Sequence, residues 1–137
     1  MLTIRFGHAQ RHALDVVSAR TDRPYSWILS KAVVHAATTA ASVDRTSAIN
    51  LFSEHTLAPP ASGQTRLTVS LRQDVLPIAE LLVYYLNAGG APMSSGVLVR
   101  AAWNHWCTDG ADAIAEQLGV IHPAAPTTYE LRPAVSA

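Results

Sequence analysis

The sequence predicts a mainly helical protein with a two-stranded antiparallel β-ribbon, because one strand–helix–helix pattern occurs twice along the chain. Residues 2–6 and 67–71 both alternate between apolar and polar side chains. Each stretch is followed by helical periodicity, a turn with proline and a second helix that opens on serine. A lone strand leaves its backbone groups unpaired, so the two strands are expected to pair with each other.

Each predicted strand has an apolar face and a polar face, because successive side chains point to opposite sides of a strand. The apolar faces consist of Leu2, Ile4 and Phe6 in the first strand and Leu67, Val69 and Leu71 in the second. The polar faces carry Thr3 and Arg5 in the first strand, and Arg66, Thr68 and Ser70 in the second. The apolar faces are expected to cover the helices.

In the first half, helical spacing predicts one helix over residues 9–20 and a second helix soon after it. Arg23 precedes Pro24 and therefore ends the first helix, since a residue before proline avoids the helical region. Ser26 is expected to cap the second helix, with Ile28 and Leu29 facing inward.

In the second half, Gln73 and Asp74 are expected to open a helix with Pro77 in its first turn, where a missing N–H is tolerated. The apolar stripe of this helix is predicted to be Ile78, Leu81, Leu82 and Leu86. Ser94 or Ser95 then caps a last helix that ends near Trp106. Residues 26–32 and 95–101 match when the two segments are aligned, and Lys31 then aligns with Arg100.

The same pattern divides the chain into four segments that together form one compact domain. Residues 1–36 are the first unit, and residues 37–65 are a connector with a short helix between Ser47 and His55. Residues 66–108 are the second unit, and residues 109–137 are a short acidic helix, starting near Gly110, followed by an extended tail with a brief strand at 129–131. The proline- and glycine-rich end of the connector is typical of a linker.

Composition limits the classes of protein to consider. The apolar fraction of 49% is enough for a core, and no apolar run approaches the roughly 18 residues of a membrane span. A single cysteine, Cys107, excludes an internal disulfide and favours the cytoplasm. The net charge is zero, but residues 1–36 carry five basic and two acidic side chains, whereas residues 109–137 carry one basic and four acidic ones. A local basic surface can attract phosphate on a neutral protein.

These repeated units resemble the ribbon-helix-helix family of DNA-binding proteins. The resemblance covers residues 2–36 and 66–106 and implies two ribbon-helix-helix units fused in one chain as an intramolecular pseudo-dimer. Family members place the ribbon in the major groove of double-stranded DNA. The single-chain form implies a monomer that acts as a transcriptional regulator or as an accessory protein of conjugative or T-DNA transfer.

The resemblance also implies which residues contact DNA. The base-contacting positions are the outward strand residues Thr3, Arg5, Arg66, Thr68 and Ser70. The phosphate-binding positions are Ser26, Trp27, Ser95 and Gly96 at the starts of the second helices, together with Arg72. Because the two strands differ, an asymmetric or imperfectly palindromic site is expected. Cooperation of several copies on DNA stays open, as does a transfer enzyme or another protein as a further partner.

The same sequence is compatible with other functions. A protein-interaction module, antitoxin-like or an adaptor whose tail and connector bind a partner, is the alternative, and the zero net charge favours it. His8 and His12 have the spacing of a shared metal site on a helix, but solvated side chains are the expected outcome. Cys107 has no Cys-x-x-Cys partner, and no catalytic constellation or phosphate loop occurs. We therefore expect no enzyme activity, metal or cofactor.

Overall fold

The computed structural model describes residues 1–57, 59, 63–87 and 93–119. In these residues the chain is mainly helical with a two-stranded antiparallel sheet, as predicted. The elements follow in the order β1 (Leu2–Gly7), α1 (His8–Thr21), α2 (Tyr25–Ala41), α3 (Arg45–Ser53), β2 (Gln64–Val69), α4 (Leu76–Leu86), α5 (Ser95–Trp106) and α6 (Ala111–Leu118). Short 3-10 turns at Glu54–Thr56 and Cys107–Asp109 follow α3 and α5.

The ribbon has the two faces that the alternation predicts. β1 pairs with β2 from Leu2 opposite Val69 to Gly7 opposite Gln64. On its inner face, the side chains of Ile4 and Phe6 in β1 are fully buried, and the side chain of Val69 in β2 is buried beside them. The ribbon therefore covers the helices with its apolar side, which leaves the other side to solvent.

The core lies between the ribbon and the helices α2 and α5, which pack against each other. Its largest fully buried side chains are Trp103, Phe6, Phe52, Ile4, Leu14, Ile28, Leu29, Leu98 and Ile114. The third helix after each strand packs on the first helix after the other strand: α3 contacts α4, and α6 contacts α1. The two halves of the chain are therefore interlaced within one core.

The starts of the two central helices correct one prediction and confirm another. α2 begins at Tyr25, and the backbone carbonyl of its N-cap residue Pro24 accepts hydrogen bonds from the amides of Trp27 and Ile28. Ser26 as the cap is therefore wrong, since it lies inside the first turn. Proline suits the N-cap position because its ring fixes φ at a value that the extended N-cap conformation allows, here −70°, and because the helix needs no N–H from this residue. Ser94 does cap α5, because its Oγ accepts a hydrogen bond of 3.2 Å from the amide of Val97.

Helix α4 starts later than predicted and has a different buried stripe. Gln73 and Asp74 lie in a turn before the helix rather than opening it. Pro77 does lie in the first turn, as predicted. Leu81 is 66% exposed, so its place in the apolar stripe is wrong; the buried residues are Ala79, Leu82 and Leu86. Leu81 is two residues from Ala79, which turns it to the opposite side of the helix.

The remaining helices can be compared with the predicted bounds. α2 continues to Ala41, beyond the predicted unit boundary at residue 36. The connector helix is present as α3, but it starts at Arg45 because the Asp44 carboxylate caps it through a 2.8 Å hydrogen bond from the Ser47 amide. α6 confirms the predicted short helix after Gly110. The predicted strand at 129–131 lies outside the described residues.

Candidate nucleic-acid interface

All five predicted base-contacting side chains lie exposed on the outward face of the ribbon. They are Thr3, Arg5, Arg66, Thr68 and Ser70. The pairing register places Thr3 opposite Thr68 and Arg5 opposite Arg66. The two threonine hydroxyls are hydrogen-bonded to each other at 3.1 Å. The outward face thus offers hydroxyl groups and guanidinium groups side by side.

Charge is unevenly distributed along this face. Arg5 and Arg66 lie directly opposite each other, an arrangement that destabilises a ribbon by charge repulsion. Within the described residues neither guanidinium forms an ion pair. We call this the arginine end. At the other end, beyond the pair of Leu2 and Val69, the corresponding outward side chains are Met1 and Ser70, and we call it the neutral end because neither of these side chains is charged.

Two cations lie on an aromatic ring at the start of α2. The guanidinium carbon of Arg23 is 4.8 Å from the ring centre of Trp27, and the ammonium of Lys31 is 5.2 Å from the same ring. Such contacts hold flexible cations in place while their charge stays in solvent. Ser26 and Trp27, two predicted phosphate-binding residues, are therefore flanked by positive charge.

A third cation lies close by on α1. The guanidinium carbon of Arg11 is 5.2 Å from the ring centre of Tyr25, and its Nε is 3.3 Å from the Asp15 carboxylate. The Tyr25 hydroxyl donates a hydrogen bond to Asp15, which together with Arg11 lowers the pKa of that carboxyl. Arg11, Arg23 and Lys31 were not predicted as site residues, although the basic excess of residues 1–36 is their signal in the sequence.

The start of α5 carries no such charge. Ser95 and Gly96 form its first turn, and a Cβ on Gly96 would lie 3.5 Å from the Thr3 carbonyl oxygen, so this helix starts directly beneath β1. Arg100, which matches Lys31 by sequence, is only 8% exposed, and its Nη2 donates a 2.6 Å hydrogen bond to the Thr56 carbonyl. Burial, with a smaller effect of Arg5, lowers the pKa of Arg100. Lys31 and Arg100 align in sequence, but Lys31 is exposed and Arg100 is buried.

Arg72, the remaining predicted phosphate ligand, is exposed but paired. Its Nε and Nη2 lie 3.2 Å and 3.5 Å from the two carboxylate oxygens of Asp74. Its backbone amide donates a 3.0 Å hydrogen bond to the Oγ of the buried Ser30 on α2. The backbone of Arg72 therefore connects the segment that follows β2 to α2, and the charge of its guanidinium is partly neutralised by Asp74.

A cavity of about 350 Å³ opens at the neutral end, between the strand ends and the starts of α4 and α5. Its apolar lining includes Leu2, Leu71, Leu76 and Ala79, and its polar lining includes Glu80 and Ser95. The neutral end of the ribbon thus borders a cavity with both apolar and polar lining.

The described residues give no indication of metal or thiol chemistry. No group of three histidine, cysteine, aspartate or glutamate side chains there could hold a metal ion. His8 and His12 are both exposed. Cys107 is half-buried, and burial raises the pKa of its thiol to about 12, which disfavours the thiolate.

No helix in the described ranges is long and apolar enough to cross a membrane. No family model, curated protein or solved structure matches this chain. The exposed ribbon face and the basic start of α2 are the features from which a function can be inferred.

Proposed function

We propose that the chain binds double-stranded DNA by placing the β1–β2 ribbon in the major groove. The observation that carries this proposal is the pair Arg5 and Arg66, exposed side by side beyond a row of hydroxyl groups. A two-stranded ribbon fits the roughly 12 Å groove, where arginine bonds guanine bidentately and threonine or serine contacts several base edges. DNA phosphates and guanines would relieve the repulsion between the two guanidinium groups.

We further propose that the chain is a single-chain ribbon-helix-helix protein, whose halves are equivalent about a pseudo-twofold axis. Burial patterns support this equivalence. The buried residues Leu14, Val17 and Thr21 of α1 have counterparts 65 positions later in Ala79, Leu82 and Leu86 of α4. Ile28, Leu29 and Ser30 of α2 have counterparts 70 positions later in Leu98, Val99 and Arg100 of α5. The pairing of Lys31 with Arg100 is thus out of register by one residue.

Two contacts support the position of the axis. Thr3 and Thr68, which are 65 positions apart, are paired in the ribbon and share a hydrogen bond. His35 and His105, which are 70 positions apart, meet beneath with their ring centres 6.3 Å apart. Counterparts that meet each other are what a twofold axis requires.

The proposed binding mode is asymmetric along the DNA. With the axis between Thr3 and Thr68, Arg5 corresponds to Ser70, and Arg66 corresponds to Met1. Both arginines would therefore contact one half-site, while the neutral end would contact the other. Phosphate binding would follow the same asymmetry, since Arg23 and Lys31 flank the amides at the start of α2.

In this proposal the protein acts as one polypeptide in the cytoplasm, as a transcriptional regulator or a DNA-transfer accessory protein. A protein-interaction module is the second candidate. The connector residue Leu57 is 73% exposed, and Tyr84 on α4 is 76% exposed, which favours contact with a partner protein. DNA binding is the better supported of the two because the ribbon side chains converge on one face.

Fluorescence anisotropy with a random duplex pool and with DNA flanking the chain's own gene, at low and moderate salt, tests the proposal. We expect preference for the flanking DNA, with an affinity that falls by about one log–log unit per phosphate neutralised. Arg5→Ala and Arg66→Ala should weaken specific binding by about 1–3 kcal/mol each. Arg45→Ala is the matched control, because Arg45 is the first residue of α3 and donates its hydrogen bond to the Tyr85 carbonyl near the C-terminal end of α4, away from the ribbon.

Unchanged binding by both ribbon variants would exclude the ribbon as the DNA-contacting element. Absence of binding at low salt, with the fold intact by circular dichroism, would favour the protein-interaction module.

A further inference from the structure

On the equivalence of the two halves, the position of the cavity at the neutral end corresponds to the position of a tyrosine side chain at the arginine end. On the equivalence of the two halves, Ser95 corresponds to Tyr25, which lies 70 positions earlier at the first residue of α2. Glu80 and Leu76 correspond to Asp15 and Arg11, which lie 65 positions earlier. Tyr25 donates its hydroxyl hydrogen bond to Asp15, and Arg11 lies over its ring.

Where the first half has Tyr25, the second half has Ser95, so no ring occupies this position. The carboxylate that would accept a hydrogen bond from a hydroxyl there is still present, as Glu80. Glu80 lines the cavity of about 350 Å³ and forms no ion pair within the described residues. Leu2, Leu71 and Leu76 supply apolar contact surface around it. A cavity of this volume lies at the lower end of the range for small-molecule sites, about 300–1,000 Å³.

We propose that this cavity binds a small phenolic ligand, an aromatic ring with a hydroxyl donor. The ring would take the place that the Tyr25 ring has in the other half, and its hydroxyl would donate a hydrogen bond to the Glu80 carboxylate. A donor bonded to a carboxylate is held more strongly than one bonded to a neutral acceptor. This inference rests on the equivalence of the halves in the proposed function, but it does not require that the chain binds DNA.

The first test titrates p-cresol, which is the tyrosine side chain itself, into the free protein and follows amide shifts by NMR. We expect a dissociation constant on the order of millimolar, as for other ligands of this size, with shifts confined to the amides around Leu2, Leu71, Glu80 and Ser95. Toluene, which lacks the hydroxyl, should bind about tenfold more weakly. Equal binding of p-cresol and toluene, shifts elsewhere, or no shifts at all would overturn the proposal.

The second test fills the cavity from within by Ser95→Tyr. The variant should raise the urea midpoint of unfolding and abolish p-cresol binding, and Glu80→Ala should remove much of the gain in midpoint. Ser95→Ala, which loses the hydroxyl without adding a ring, is the control and should still bind p-cresol. Undiminished p-cresol binding by Ser95→Tyr would overturn the proposal, and if this variant does not fold, the titration of the natural chain decides. DNA binding is measured separately by anisotropy, so failure of either inference is distinguishable from failure of the other.

Discussion

On the proposed equivalence of the two halves, the first half, from β1 to α3, and the second half, from β2 to α6, bury corresponding positions but expose different side chains. The first half ends its ribbon strand near Arg5 and surrounds the start of α2 with Arg11, Arg23 and Lys31. The second half has a capped, uncharged start of α5 and an open cavity. If the halves are equivalent as proposed, packing has constrained their buried positions, whereas their exposed positions differ in charge and in size.

The largest expected effect is on the free energy of unfolding, when corresponding core residues of the two halves are truncated. Trp103 is fully buried, and its Nε1 donates a 2.9 Å hydrogen bond to the Gln10 carbonyl of the first half. Its counterpart 70 positions earlier is the smaller Val33, also fully buried. Trp103→Ala should lower the free energy of unfolding by about 3–5 kcal/mol. Val33→Ala should lower it by about 2 kcal/mol, because two methyl groups are lost.

Urea unfolding followed by circular dichroism measures both values. Trp103→Phe is the control that keeps an aromatic ring but removes the hydrogen bond, and it should fall between wild type and Trp103→Ala. Equal losses for Trp103→Ala and Val33→Ala would contradict the expected difference between these two buried counterparts.

An exchange of two equivalent ribbon residues should move the asymmetry of DNA binding. The double variant Arg5→Ser with Ser70→Arg keeps the net charge and places one arginine at each end of the ribbon. Selection of preferred duplexes should then yield more nearly palindromic sites, with discrimination redistributed by about 1–3 kcal/mol per contacted base pair. The salt dependence of non-specific binding should stay unchanged, because the number of cations is the same. An unchanged preferred sequence would contradict the assignment of the two ends.

Local patterns in the sequence were sufficient for the strands, the order of the helices and the outward face of the ribbon. Alternation identified Thr3 and Arg5 as outward residues, and Pro77 located the first turn of α4. The position of Arg5 opposite Arg66 could not be predicted, because strand register here follows from the core and a long connector rather than from a tight turn. The burial of Arg100 depends on a carbonyl group 44 positions away, which no local pattern contains.

The histidines at the proposed axis predict a pH dependence that both halves share. Burial lowers the pKa of His35, and it lowers the pKa of His105 with further contributions from His55 and His35. Asp109 opposes both shifts, and Glu54 opposes the second. Because the folded pKa values lie below the unfolded value of about 6.5, the unfolded chain binds more protons as the pH falls. Stability should be full above about pH 6.5, decline as the pH falls from this unfolded pKa towards the folded pKa values, and level off below them.

Urea midpoints at about pH 7.5 and about pH 5.5 test this, since carboxylates titrate mainly below that interval. The double variant His35→Gln with His105→Gln should lose most of the dependence. The exposed pair His8 and His12, changed to glutamine, should keep it. A dependence that survives in the first double variant and disappears in the second would assign it to surface charge.

The smallest expected effect compares how the third helix of each half is attached to the other half. Asp112 of α6 pairs with Arg20 of α1, whereas Arg45 of α3 donates a 2.8 Å hydrogen bond to the Tyr85 carbonyl of α4 and lies over the Tyr85 ring. Since the Asp112 side chain is 84% exposed, Asp112→Asn should cost less than about 1 kcal/mol and nothing measurable at high salt. Arg45→Gln should cost a similar amount at both salt concentrations, because a backbone carbonyl is not screened as an ion pair is. Urea midpoints in low and high salt distinguish the two attachments, and a salt-sensitive loss for Arg45→Gln would contradict this difference.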